Sequence, residues 1–424
     1  MGDIQIIYKQ TMSSRPENVN EAVLKLTFFI IWPFGAFLFS LLRRPASRVS
    51  YCIYFLFGLL FCWSVYYSPH ESLYIDFVGI VENFYDTQLT FFQLWDEIWA
   101  TLTISPDIVR SDFYVIFIYW LTKQISVNYH LMYVIAGVPF LYCMLSSLKY
   151  ITRDAEKFKP TLYGYAILFL FVIPCSIFNI QNFRYSTALW VCVFCILKVF
   201  YDHQGKYIFL FLLLPYIHYS YWFVVISLAV YWILRNHFKW QKLLFFVSIP
   251  FALIPVDMIL SHLMSADFLP LILAEKGELY FSDYANENWG MYANGVRSLF
   301  KAIQSVIYIV ATILMTRRTE VTKNASPAGS LLHFFCVFLA MVNFVNVVPV
   351  IGERFYLLSR IIGIFLWFKI MYPRKRYFMG IFVLGCALEI YTISDLYLKV
   401  LSWDFFYSNV FSLIYKYLDV SFYS

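Results

Sequence analysis

Blocks of apolar residues about 18–22 long recur from one end of this chain to the other, separated by short charged linkers. Wound as a helix, a block of that length crosses a hydrocarbon core of about 30 Å. Backbone polar groups at that depth must be satisfied within the segment itself, so such blocks form helices. Charged residues make up only 14% of the 424 positions, against about 25% in a soluble domain. That is too little charge to clothe a water-soluble globule of this size. The expected fold class is an all-α integral membrane protein, a polytopic helical bundle of about 11–12 spans forming a single membrane domain over 1–424.

Candidate spans fall near 22–42, 49–66, 129–149, 161–178, 184–201, 206–218, 220–234, 242–263, 297–316, 329–350, 354–371 and 377–395. The linkers set orientation. Arg43, Arg44 and Arg48; Lys149, Arg153, Lys157 and Lys159; Arg235, Lys239 and Lys242; Arg317, Arg318 and Lys323; and Arg374, Lys375 and Arg376 are basic clusters that the positive-inside rule places in the cytoplasm. Residues 67–112 instead carry Glu71, Asp76, Glu82, Asp86, Asp96, Glu97, Asp107 and Asp112 against Arg110, and 264–296 carry five acids against Lys276. Two outer loops are expected there, an acidic one over 67–128 with juxtamembrane helices and a second over 264–296. The net charge of +6 is thus spent on loop anchors. It is no nucleic-acid footprint, and the bilayer is the partner it implies.

Two stretches break a simple count of crossings. Residues 113–125 are too short to span, and counting them would move the basic 149–160 linker outside; with the amphipathic run at Leu94–Trp99 they read as a helix lying in the outer interface or re-entering. Residues 206–234 lie between two basic linkers, so one long span would separate linkers that belong on one side. Two half-length helices joined near Pro215–Ser220 keep the parity and put His218 at the wall or floor of an outward cavity.

The candidate chemistry follows from charges that do not belong in lipid. Arg184 opens a span, above a stripe of Thr187, Ala188, Val191, Cys192 and Cys195 that suits close helix packing; the alternative is an arginine reaching for headgroups. His218 can hydrogen-bond a hydroxyl or take its proton; the alternative is a core histidine satisfied by Tyr219, Ser220 or Tyr221. Arg354 sits just past Pro349–Gly352, and Arg360 lies six residues deeper, about 600° further round the helix and hence on another face. Glu353 can pair with either. Converging arginines suit a phosphate or diphosphate, whose oxygens match the guanidinium fork. Asp76 and Asp112 are the foremost loop carboxylates; Asp257, His262 and Glu389 are further ionisable groups within spans, open to relay or pairing roles. The eight cysteines all fall inside apolar segments, and Cys192 and Cys195 have no partner at zinc spacing, so packing thiols are expected and no metal site. No Gly-rich phosphate loop or metalloprotease motif occurs.

Three short elements, in order, resemble the EpsG family, the Wzy-type polymerases of exopolysaccharide and capsule assembly. They are Asn182 to Arg184 with Ala188, then Ile217, His218 and Ser220 in a broken helix pair, then Arg354, Phe355 and Tyr356, spread through roughly 50–370. Where family members tend to carry an arginine and a G-x-D-Y element, this chain has Asp76 and Tyr85 without either. The resemblance implies a glycosyltransferase C-like membrane fold in a bacterial inner membrane. It implies a polymerase joining undecaprenyl-diphosphate-linked repeat units at the outer face into exopolysaccharide, capsule or O-antigen, alongside a flippase and a chain-length regulator. By that resemblance His218 and Asp76 would be catalytic. Arg184, Arg354, Arg360, Asn182, Ser220 and Tyr356 would hold diphosphate and sugar, with no metal or cofactor. A flippase for the same lipid-linked glycan, or another membrane glycosyltransferase or ligase, remains the competing expectation.

Overall fold

The computed structural model describes residues 18–66, 75–103, 113–154, 157–253, 295–318, 326–346, 349–372, 374, 378–386, 390 and 401–418. Residues 264–294 of the second acidic loop, and also Asp112, Asp257, His262 and Glu389, fall outside the described residues. Among the described residues the chain is helical and has no strand, as the apolar blocks require. Three helical runs are long and apolar enough to cross a membrane by length and composition: Tyr129–Thr152, Leu162–Tyr201 and Pro327–Val345.

The first candidate span is not a span. Helix α1 (Val19–Ile31) ends at Trp32, and α2 (Pro33–Leu42) runs back beside it. Glu21 at the start of α1 lies 3.5 Å from both Arg43 and Arg44 after α2, so the two ends of the pair meet. The reversal has a local cause. Pro33 cannot donate into the preceding turn and disfavours helical backbone at Trp32, which sits at φ −148°, ψ 87°. Lys25, fully buried, donates to Ser50 Oγ at 2.9 Å and ties this hairpin to α3 (Arg48–Trp63).

Three short helices follow, α4 (Ile75–Asp86), α5 (Phe91–Thr103) and α6 (Phe113–Lys123). The 11 residues of α6 extend about 16 Å, so it does not cross. It packs on α7 (Tyr129–Thr152) and on the end of a later half-helix, with Lys123 donating to the carbonyls of Tyr85 and Thr87 at the end of α4. On α5 the side chains of Phe91, Phe92, Trp95 and Trp99 are exposed while Leu94 is buried, as an interfacial helix requires.

Next, α8 (Leu162–Val172) and α9 (Phe183–Ile196) form a tight reversal through two 3-10 turns at Ile173–Cys175 and Ile177–Asn182. Trp190 packs on Phe171 and donates its indole N–H to the Cys175 carbonyl at 2.8 Å, which shows α8 and α9 antiparallel. A π-turn over Leu197–Tyr201 extends α9. The expected small-residue stripe proves to be part of a larger pattern: every side chain of α9 except Arg184 is buried. This helix is the centre of the bundle, packed most heavily on α7, which in turn packs on α3. Without a hydrophobic drive between helices in lipid, close side-chain packing of this kind supplies the association. Seven of the expected packing thiols are buried and free, whereas Cys52 on α3 is exposed.

The remainder comprises α10 (Ile208–Ile217), α11 (Trp222–Leu234), α12 (Phe238–Leu253), α13 (Gly295–Thr316), α14 (Pro327–Val345), α15 (Pro349–Ile370), α16 (Phe378–Gly385) and α17 (Val410–Lys416). Helices α12 and α14 run parallel, with Phe238 stacked on His333 at one end and Asn343 donating to Ser248 further along. The segment leading to α17 docks on the hairpin and α3, where Trp32 donates to the Phe406 carbonyl and Phe405 contacts Phe57 and Phe61.

Candidate functional site

The chain reverses between α10 and α11 where charge parity requires it. Phe194 meets Tyr207 before α10, Tyr185 meets His218 after it, and Phe200 meets Tyr231 near the end of α11. The pair therefore goes up along α9 and comes back down. With 10 residues, α10 rises about 15 Å, half of a hydrocarbon core, so the α10–α11 pair makes no crossing of its own. Pro215 weakens the last turn of α10, and His218 leaves the helix at φ −152°, ψ 119°.

His218 itself is 8% exposed. Its Nδ1 accepts from the Ser220 amide at 3.3 Å and lies 2.8 Å from the Ser220 hydroxyl. A backbone N–H can only donate, so Nδ1 is the acceptor and the neutral ring carries its proton on Nε2. Ser220 is the group that holds the ring in that form. The hydroxyl partner named as the alternative reading is present, and it orients the ring.

Arg184 occupies the second position of α9, half-buried, directly after the reversal. Asn182 caps this helix, its side chain accepting from the Tyr185 amide at 3.5 Å. The turn before it is held by Ser186 Oγ donating to the Asn179 carbonyl at 2.6 Å. Phe183 packs against Tyr114 of α6 and Tyr133 of α7, so the juxtamembrane helix reaches the same level.

Arg354 comes to this place from 170 positions further along the sequence. The Tyr185 hydroxyl donates to the Arg354 carbonyl at 2.6 Å, and the Arg354 guanidinium carbon lies 5.5 Å from the Tyr185 ring centre. Near their other ends the two helices are again close, Tyr201 against Phe365 at 5.2 Å, so α9 and α15 run parallel. Two arginines toward the starts of parallel helices thus sit on one level, and at Arg184, in the first turn of α9, the helix dipole adds to the positive potential. Tyr185 is the residue sequence reasoning missed. Nothing but its adjacency to Arg184 could have pointed to it, since one residue in five is aromatic (22%).

Arg360 and Tyr356 lie apart from this cluster. Arg360 is 1% exposed, donates to Cys386 Sγ at 3.1 Å and approaches the Tyr308 ring at 5.9 Å, all on the side of α13 and α16. Tyr356 also faces Tyr308. The separation follows from helical phase, as the spacing of the two arginines implied. Asp76 lies in the first turn of α4, in a stretch whose side chains are outside the described residues. Among the described residues no group of three or more His, Cys, Asp and Glu is arranged to hold a metal.

At the opposite ends of the same helices lies a polar network. Lys369 of α15 pairs with Asp154 at 2.5 Å, and Lys157 donates to the Lys369 carbonyl. Lys198 pairs with Asp202 at 2.8 Å, and the Tyr150 hydroxyl donates to the same carboxylate. These contacts join α7, the π-turn after α9 and α15 at the end bearing the basic linkers.

In this polytopic helical bundle Arg354, Tyr185 and His218 come together beside a broken helix pair, with Arg184 next to Tyr185 on α9. The chain belongs to the EpsG family, whose model matches residues 77–411. That membership makes it an exopolysaccharide-related membrane protein. No curated protein and no solved structure is detectably similar to it.

Proposed function

We propose that this protein is a polysaccharide polymerase, a membrane glycosyltransferase that joins lipid-diphosphate-linked oligosaccharide repeat units at the outer face of the membrane. The observation that carries the reading is the convergence of Arg184, Tyr185, His218 and Arg354 on one level of the bundle. In the reaction, a hydroxyl oxygen of the acceptor unit attacks the anomeric carbon of the donor chain. The bond from that carbon to the lipid diphosphate breaks, and the diphosphate leaves with the electron pair. Arg184 and Arg354 meet the charge that grows on it, an interaction stronger in the transition state than before it. His218 donates from Nε2 to the acceptor sugar and orients it, and the hydroxyl proton goes to a carboxylate, for which Asp76 is the candidate.

The competing reading is a flippase for the same lipid. It would need the opposite end of the bundle to open, where Lys369–Asp154 joins α15 to the end of α7 and Tyr150–Asp202 joins α7 to the turn after α9. That network favours a site served from one side. The test is extension of a purified lipid-diphosphate repeat unit by the protein in proteoliposomes, with and without a divalent cation. A ladder of longer products in both samples is expected; transfer of intact units across the bilayer without any ladder would overturn the reading.

A smaller prediction separates capping from binding at Asn182. Asn182→Ser and Asn182→Asp both keep a helix cap and are expected to change stability by no more than about 0.5 kcal/mol. Only the aspartate places a negative charge two positions from Arg184. It is expected to shorten the product ladder while the serine leaves it near native, and equal ladders would remove Asn182 from the anion's surroundings.

A further inference from the structure

Tyr185 touches each of the elements that make the site. It belongs to α9, its hydroxyl holds the backbone of α15 at Arg354, and its ring meets His218 at 5.7 Å and Tyr221 of the α10–α11 turn at 6.2 Å. We propose that Tyr185 is the positioning residue of the cationic site, seating the Arg354 guanidinium against its ring and fixing the level of His218 relative to Arg184. The proposal rests on the reading that Arg354 engages a diphosphate.

A guanidinium away from water is ordinarily held by a carboxylate, which orients it but cancels its charge and occupies its donors. None of the ion pairs among the described residues involves Arg354. An aromatic face supplies the alternative. It attracts the cation through its quadrupole and restrains it, yet leaves the edge N–H groups to an anion. The arrangement also registers the helices. Tyr185 is the neighbour of Arg184 on α9, and its hydroxyl bond at 2.6 Å fixes Arg354 beside that same turn. A tyrosine serving only to fill the core would satisfy its hydroxyl on any carbonyl, without carrying on its ring the side chain of the very residue it bonds.

The consequences divide between hydroxyl and ring. Tyr185→Phe keeps the seat and loses one hydrogen bond; a fall in kcat of roughly fivefold to tenfold is expected, with KM nearly unchanged. Tyr185→Leu removes the seat, and a fall in kcat of at least about 100-fold is expected. Tyr185→Trp retains an aromatic face and should recover part of that loss. Each is assayed as full-length protein in proteoliposomes on the lipid-diphosphate repeat unit. Binding of farnesyl diphosphate, used as a small lipid-diphosphate probe, and thermal melting are measured on the same preparations. Weakened probe binding in Tyr185→Leu, with the Phe variant close to native, supports a seat for Arg354. If the leucine variant melts early, the Phe and Trp variants decide the matter. Native kcat in the folded fraction of both Phe and Leu variants would overturn the proposal. Failure of the underlying reading shows differently, as undiminished polymerisation and probe binding in Arg354→Ala itself.

Discussion

Replacing either arginine of the cluster, as Arg184→Ala or Arg354→Ala, is expected to leave cells or proteoliposomes with single repeat units and almost no polymer. The loss should reach about 100-fold to 1,000-fold in kcat, the range seen when one preorganised donor to a developing anion is removed. KM should move far less, because a charge engaged chiefly as the diphosphate leaves lowers the barrier more than it holds the ground state. The two sites are adjacent through Tyr185, so the double variant should be less damaged than the product of the single losses. Lysine at position 354 should recover little, since it offers no planar fork and no flat face to lie against the ring. Product ladders on gels, run beside a blot for the protein in the membrane, check this. Ladders of native length from both alanine variants would end the proposed mechanism.

The second large effect concerns the scaffold. Trp190 is among the largest fully buried side chains, packs against Phe171 and donates to the Cys175 carbonyl across the α8–α9 reversal. Trp190→Ala leaves a void at the centre of the bundle and an unsatisfied carbonyl in the 3-10 turn. A loss of about 3–5 kcal/mol is expected, read as earlier melting in detergent. Trp190→Phe should restore most of the packing and cost about 1 kcal/mol for the missing bond. The stability loss should precede any catalytic defect: surviving folded Trp190→Ala protein should still bind farnesyl diphosphate. Native melting of the alanine variant would mean that the reversal is held elsewhere.

What could be read from residues alone was whatever a local rule governs. Charge parity located the break at His218, because two basic linkers cannot end up on opposite sides. Helical phase alone puts Arg354 and Arg360 on different faces of α15. The hairpin at Trp32 was equally local, a proline one residue past the middle of an apolar block, yet 21 apolar-rich residues read as a span because length outweighed the breaker. The seat under Arg354 was of another kind. Tyr185 and Arg354 are 169 residues apart, and nothing in either neighbourhood requires the other. Only packing of α9 against α15 brings them together, and in so aromatic a chain a tyrosine next to an arginine carries little information by itself. The polar network at Asp154 and Lys369 was hidden similarly, since its members look like ordinary linker charges.

The hairpin formed by α1 and α2 bears on how the chain enters its membrane. A first apolar segment that returns to its own starting side makes no net crossing. It cannot commit the later segments to an orientation, and its charges at Glu21, Arg43 and Arg44 close on one another instead of straddling the bilayer. What fixes orientation therefore lies outside the hairpin, which the buried Lys25–Ser50 bond ties to Arg48–Trp63 as one packed unit.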